Sequence, residues 1–323
     1  MLKTLIKIIM TFSIASCCIA LEQKVAIMQV TDHPALNKTT QGIIDALADA
    51  GFKNKENFNI RVESAQANSL MAAQIAQKFV AQNPTVVVGV GTLAAQSFIK
   101  YANDNRAKLV FSSVTDPIAA NLEMANKQNI PNVTGVSNFV ALEPQIQLIK
   151  QIQPNLKSLG IIYNSGEINS VKIIAQLEKI CTAQNINLRK QAIAKTADAM
   201  QASVKLAGQV DAVFISNDNT ALSSLQTIIK SAAQKNIPVY VSDTDAVAMG
   251  ALAALGPNQY DIGKQTGKMI AQVLQGTSPS SIAIEYPVKT ELVINTVMAK
   301  KLKINLPANL LKNAVLINHE VAA

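Results

Sequence analysis

The chain has 323 residues, enough for about two domains of ordinary size. Hydrophobic residues make up 49% and charged residues 15%, which supplies large cores and excludes a disordered chain. Two histidines, three cysteines and no tryptophan exclude a histidine-rich metal centre and a disulfide framework. The net charge of +8 falls to +6 once Lys3 and Lys7 leave with an export segment. It is spread without runs, apart from Lys300, Lys301 and Lys303, and aromatics are only 4%, so no nucleic-acid surface is expected.

Residues 1–20 read as a signal peptide. Basic Met1–Lys7 precedes an apolar stretch, Ile8–Ala20, too short to span a bilayer as a helix. Two processing routes fit. Ile14-Ala15-Ser16-Cys17 has the form of a bacterial lipobox, which would make Cys17 a lipidated first residue. Cys18-Ile19-Ala20 offers ordinary cleavage before Leu21. Either route places the mature chain outside the cytoplasmic membrane, periplasmic or lipid-anchored on its outer side. The remaining Cys181 reads as a buried thiol in a helix.

Beyond the signal, β-branched runs alternate with amphipathic stretches. The first half predicts strands at 25–30, 59–63, 85–90 and 108–112, with helices at 36–50, 71–82 and 94–103. The second half predicts strands at 158–163, 187–191, 212–215 and 238–241, with helices at 169–184, 196–207 and 220–235. The strand offsets are 34, 60 and 83 residues in the first half and 29, 54 and 80 in the second. This layout predicts an α/β protein of two similar doubly wound, Rossmann-like lobes with parallel sheets. A helix at 260–274, an extended stretch at 282–295 and a short helix at 296–301 are too few for a third domain. They are expected to complete the two sheets. The chain then crosses between lobes near 135–141, 255–259 and 285–289, a three-strand hinge around a cleft. Lobe 1 is expected to hold 21–137 plus 257–284, and lobe 2 138–256 plus 285–323.

In open parallel sheets, ligands bind beyond the carboxyl ends of the strands. Those tips are Thr31-Asp32-His33-Pro34, Gly91-Thr92 and Val114-Thr115-Asp116-Pro117 in one lobe. In the other they are Asn164-Ser165-Gly166-Glu167, Ser216-Asn217-Asp218-Asn219-Thr220 and Ser242-Asp243-Thr244-Asp245. Such residues also serve as turn and helix-cap residues, but six polar tips around one cleft suggest a site. Hydroxyls and helix N-terminal amides, with Thr92 and Ser165 foremost, suit a carboxylate; Asp116, Asp218 or Asp243 suits an ammonium. A zwitterion needs both. No arginine stands at a tip, which argues against phosphates and dicarboxylates.

Three patterns are set aside. Gly89-Val-Gly91-Thr-Leu-Ala94 has the dinucleotide form, but it follows the third strand and has no acid about 20 residues on. His33 beside Asp32 lacks a nucleophile or metal set, so it is expected to line the cleft. Asn37-Lys-Thr39 is a glycosylation sequon without meaning beside a bacterial-looking signal. With no Gly-x-Ser-x-Gly elbow and no second usable histidine, no enzyme, cofactor or metal is expected.

Several segments carry a resemblance: Val30–Leu36, Val114–Pro117, Asn132–Ser137, Ile162–Ser165 with Glu167 and Asn169-Ser170, Asp218–Thr220, Ser242-Asp243, and Asn295 leading to Leu302–Pro307. In order and spacing the mature chain resembles the ABC-transporter substrate-binding proteins of the type I periplasmic-binding fold, in the family with tryptophan- and other aromatic-amino-acid-binding members. The resemblance implies a cleft lined by Thr92, Thr115, Asp116, Asn164, Ser165, Ser170, Asp218, Asn219 and Asp243, joined by His33 and Glu167. It implies a monomer that closes on an aromatic or large apolar amino acid (tryptophan or phenylalanine) and delivers it to a membrane permease, touching the membrane only through a lipid anchor at Cys17. Asn138-Phe139 departs from the small polar residue usual there, and Phe139 either walls the ligand or packs the hinge. A sensor subunit for a membrane receptor, or a binder of a sugar or nucleoside, would have the same outline.

Overall fold

The computed structural model describes residues 23–53, 58–124 and 130–318; the expected signal segment 1–20, Cys17 and His319 lie outside the described residues. The first half runs β1 (Gln23–Gln29), α1 (Pro34–Asp49), β2 (Phe58–Ser64), α2 (Ser69–Ala81), β3 (Val86–Val90), α3 (Thr92–Gln96), α4 (Ile99–Asn103), β4 (Leu109–Val114) and β5 (Val133–Ser137). The second runs α5 (Leu142–Ile152), β6 (Ser158–Asn164), α6 (Ile168–Ala183), β7 (Asn187–Ile193), α7 (Ala199–Ala207), β8 (Ala212–Ile215), α8 (Asn219–Ser223), α9 (Leu225–Ala233), β9 (Val239–Val241), a 3-10 turn (Thr244–Met249) and β10 (Ala253–Gly256). The chain ends with α10 (Gln259–Leu274), β11 (Glu291–Asn295), α11 (Thr296–Lys301), α12 (Ala308–Asn313) and β12 (Val315–Ile317).

Two sheets result, ordered β2-β1-β3-β4-β5 and β12-β11-β10-β9-β8-β6-β7. The repeat is topological: β7-β6-β8-β9-β10 has the same order as the entire first sheet. Central strands β3 and β4 are buried along their whole length, as strands covered by helices on both faces must be. Edge strand β7 is instead largely exposed, and its Arg189 and Lys190 discourage further pairing. Cys181 is buried in α6, and burial pushes its thiol up to about 11.

Three expectations change. The second sheet is not wholly parallel, because β11 runs antiparallel to β10. The extended stretch expected at 282–295 is a strand only over Glu291–Asn295, since the residues before it carry the chain between lobes. The helices expected at 94–103 and 220–235 are each broken, into α3 and α4 and into α8 and α9. At both breaks a serine hydroxyl bonds the carbonyl four residues back, Ser97 to Leu93 (2.8 Å) and Ser224 to Thr220 (3.1 Å), a bond that weakens and bends a helix.

Helix α10 crosses back to the first lobe and packs on α1 through glycines. A Cβ on Gly263 would stand 2.1 Å from the Thr39 carbonyl oxygen, and one on Gly42 2.3 Å from that of Tyr260. This close approach sets Gln259, at the start of α10, beside Thr39 and Ser113 under the cleft. The chain passes between lobes after β5, between β10 and α10, and between Ile284 and Glu291. Two of these passes are tied together, Ser137 N–H to Glu285 O and Glu285 N–H to Gly135 O.

Candidate functional site

The tips of both sheets face each other, and a cavity lies between them. It is partly open to solvent. From the first lobe come His33, Thr92, Ser113, Thr115 and, from α10, Gln259, with Ala35 and Leu36 as the apolar patch. Asn138 projects from the hinge, and the second lobe adds Asn169, Asn217, Asn219, Asp243 and Leu222. A wider outer chamber adjoins it, sharing Thr92 and Asn169 and adding Asn164, Ser165 and Glu167 on the second-lobe side.

Local structure explains how each wall is aimed. Ser113 sits at a register shift between β4 and β5 with φ +53°, and this bulge turns its hydroxyl toward Gln259 at 3.1 Å. Thr92 opens α3 directly after Gly91, whose φ of +91° makes the sharp turn off β3. His33 precedes Pro34, the first residue of α1, and is 6% exposed. Burial lowers its pKa to about 4, so the ring is neutral. Asp243 is 3% exposed, and its carboxylate accepts the Asp245 N–H at the start of the 3-10 turn (3.1 Å). Burial, with Asp245 adding repulsion, pushes Asp243 up to about 7.

Five expected residues therefore line the cavity: His33, Thr92, Thr115, Asn219 and Asp243. Asn164, Ser165 and Glu167 line the outer chamber, with Thr92 shared. Asp116, Ser170 and Asp218 line neither. Asp116 accepts the Ala119 N–H (2.9 Å), a turn cap. Asp218 is fully buried and takes three donors: Asn164 N–H (2.6 Å), Ser170 O–H (2.7 Å) and Ala221 N–H (2.7 Å). Burial and the neighbouring Glu167 carboxylate push its pKa up, while those donors draw it back. The protein itself takes three of the roughly four acceptor positions of this carboxylate, so Asp218 serves as an internal cap.

Glu167 is likewise committed. One oxygen accepts Thr220 N–H (3.0 Å) and O–H (2.8 Å), the other Asn219 N–H (3.0 Å) and Nδ2 (2.7 Å). The first amides of α8 are thus held by Glu167 and Asp218, and the expected use of these amides for a ligand carboxylate is corrected accordingly. Ser113, Asn138, Asn169, Asn217 and Gln259 join the cavity without having been singled out as site residues. Asn169 and Asn217 sat inside quoted segments; Ser113 required knowledge of the bulge and Gln259 of the α1–α10 packing. Phe139 does not line the cavity; its N–H is tied to Ser137 Oγ (3.0 Å) in the hinge. Among the described residues no cluster of metal-binding side chains occurs, and no helix is long and apolar enough to cross a membrane.

The lobes touch across the cleft. Lys38 on α1 pairs with Asp245 at 2.5 Å, Thr31 meets Ser223 at 3.5 Å, and His33 and Asn219 line the same cavity from opposite lobes. Asn217 Nδ2 donates to the Asn138 carbonyl at 3.5 Å.

Comparison with known proteins follows the same line. Residues 24–317 match the family described as ABC transporter substrate binding protein. A tyrosine-binding protein of Clostridioides difficile (strain R20291) is 30% identical over 274 residues, 85% of this chain and 79% of that one. The ABC domain from Streptococcus pneumonia in complex with L-Trp is 32% identical with a TM-score of 0.87, covering 91% of this chain and 99% of that one. A ligand-free, open structure of a substrate binding protein with adhesive properties from Clostridium difficile is 29% identical over the same shares, with a TM-score of 0.68. At nearly equal identity and coverage, the arrangement is nearer to the L-Trp complex than to the open structure.

Proposed function

Because the chain belongs to the ABC transporter substrate binding protein family, and is therefore a binding protein rather than an enzyme, we propose that it collects a zwitterionic amino acid with an aromatic side chain and hands it to a membrane permease outside the cytoplasm. Lobe closure is the mechanism: walls from both lobes meet the ligand together only when closed, so binding shifts the balance toward that arrangement. Bending falls at the three crossings, with lobe limits near 137/138, 256/257 and 284/285. The protein is proposed to act as a monomer, exported by its first 20 residues.

One observation carries the ligand class. Among the described residues, Asp243 is the single carboxylate on the cavity wall, desolvated and pushed to about 7, among otherwise neutral hydrogen-bonding side chains. A buried carboxylate facing a cavity is relieved by a cation, and the ligand ammonium supplies it. Thr92 and the Asn217 carboxamide, whose Nδ2 is held only at 3.5 Å by the Asn138 carbonyl, offer donors for the carboxylate, while Leu36, Ala35 and Leu222 flank the apolar side chain. Two of the similar proteins are named for binding tyrosine and L-Trp, which supports an aromatic ligand.

The chain contains no tryptophan, so indole fluorescence in a titration belongs to added L-tryptophan alone. The expected result is a saturable blue shift, with calorimetry giving an affinity well below millimolar for L-tryptophan or L-tyrosine. Binding of a sugar or nucleoside, with no amino acid bound tighter than millimolar, would overturn the assignment.

A further inference from the structure

His33 has a feature that lining a cavity does not explain. Its Nε2 is buried and has no hydrogen-bond partner in the protein, although His33 is almost wholly shielded from solvent. The ring's neighbour in the opposite lobe is Asn219, on the same cavity wall. Glu167 can only accept, and it takes Asn219 Nδ2 at 2.7 Å. That fixes the orientation of the Asn219 carboxamide, leaving its oxygen directed at the first lobe, where it lies 3.8 Å from the Cβ position of Gly91. An amide oxygen can only accept, so the ring is placed to donate to it through Nδ1, the nitrogen other than the unpartnered Nε2. A neutral imidazole that donates through Nδ1 presents Nε2 as a lone pair.

We infer that His33 Nε2 is a preset hydrogen-bond acceptor for the ligand, its tautomer fixed across the cleft by Asn219 and Glu167, so that a ligand must bring an N–H or O–H to this point. The inference rests on the amino-acid reading above. Two groups share the required chemistry: the α-ammonium, and the side-chain indole N–H or phenol O–H. Glu167 and Asn219 are positioning residues here, acting through the ring. The second-lobe half of the relay reaches His33 only when the lobes meet, so the site favours a ligand donor in the closed arrangement. This gives the cavity two distinct polar demands, a cation at Asp243 and a donor at His33.

A pH consequence follows. An exposed imidazole titrates near 6.5, and the closed arrangement requires the neutral ring, so the imidazole's contribution to binding is full above that value and declines as pH falls toward 4. Between pH 7.5 and 5.5 the linkage amounts to about tenfold in affinity. The other charged groups around His33 are Asp32 beside it, Lys38 one turn along α1, Asp243 and Asp245 at the 3-10 turn, and Glu167 and Asp218 at the start of α8. All of them remain in a His33 variant, so the difference between the two pH profiles isolates the imidazole.

The experiment combines calorimetry with nitrogen NMR of ¹⁵N-histidine-labelled protein, using L-tryptophan, L-tyrosine and L-phenylalanine. Only two histidines exist in the chain, and a His33→Gln variant identifies which signal is which. In the L-tryptophan complex at neutral pH, His33 is expected to be neutral with the proton on Nδ1; an imidazolium or a proton on Nε2 overturns the inference. His33→Leu is expected to weaken L-tryptophan binding by about 10- to 100-fold. His33→Gln, which restores an acceptor oxygen, recovers much of that loss and flattens the pH profile. An equal penalty for L-phenylalanine assigns the donor to the α-ammonium; no penalty for L-phenylalanine assigns it to the side chain. Unchanged L-tryptophan affinity in His33→Leu overturns the inference and leaves the amino-acid reading standing. Failure of the unaltered protein to bind any of the three overturns both. Should His33→Leu not fold, the NMR tautomer and the His33→Gln pH profile decide.

Discussion

The two lobes present similar residue types at equivalent strand tips and use them differently. In the second lobe the tips are wired to one another: Glu167 and Asp218 together bind Asn164, Ser170, Asn219, Thr220 and Ala221. In the first lobe the tips are set by backbone geometry, the Gly91 turn, the Ser113 bulge and the Pro34 helix start. The second arrangement consumes carboxylates, while the first leaves hydroxyls and an imidazole facing the cavity. Counting acids at strand tips therefore overstates the charge a ligand meets. What matters is how many lone pairs remain after the backbone is served.

The sharpest break in this comparison is Asp218→Ala. It would leave the Asn164 and Ala221 amides and the Ser170 hydroxyl buried without partners, an expected loss of about 3–5 kcal/mol in stability. Denaturant unfolding would read it as a lower midpoint, with ligand affinity falling only because the α8 tip loosens. A variant as stable as the parent yet unable to bind L-tryptophan would return Asp218 to the ligand and erase the distinction between the tips.

Asp243→Asn tests the opposite case within the same lobe. The asparagine oxygen can keep the Asp245 cap bond, and the substitution removes a charge that burial already disfavours. Thermal stability of the unliganded protein should hold or rise slightly. Affinity for L-tryptophan should fall by about 2–3 kcal/mol, roughly 30- to 150-fold, because the ammonium loses its buried counter-charge. Equal affinity for the two proteins, measured by calorimetry, would mean the ammonium sits elsewhere.

The alternation of strands and helices was legible because buried parallel strands are written in β-branched residues and helices in periodic ones. The repeat was legible from spacing alone. The breaks after Gln96 and Ser223 were not, since they depend on serine hydroxyls turning back on the helix. Nor was the antiparallel β11, whose direction follows from where the third crossing lands. Of the candidate site, polarity at the tips could be read, and so could the places of His33, Thr92, Thr115, Asn219 and Asp243 on the cavity wall. The internal spending of Asp218 and Glu167 could not, because an Asp before a short helix reads the same whether it caps, binds ligand or does both. Gln259 reaches the cavity through the glycine-mediated contact of α10 with α1, a pairing between residues more than 200 positions apart.

The smallest effect is expected where the lobes meet at the surface. Lys38 is 57% exposed on α1, while its partner Asp245 is only 12% exposed on the opposite lobe. An exposed lysine contributes about 0.2–1 kcal/mol to such a pair, less at high salt. Lys38→Met should therefore weaken L-tryptophan binding by no more than about fivefold, mainly through faster dissociation, because the pair exists only with the lobes together. Raising ionic strength should narrow the gap between the two proteins. A loss comparable to that of Asp243→Asn would instead make the lobe-to-lobe ion pair a main determinant of closure, and the two lobes would be coupled at their rims as strongly as through the ligand.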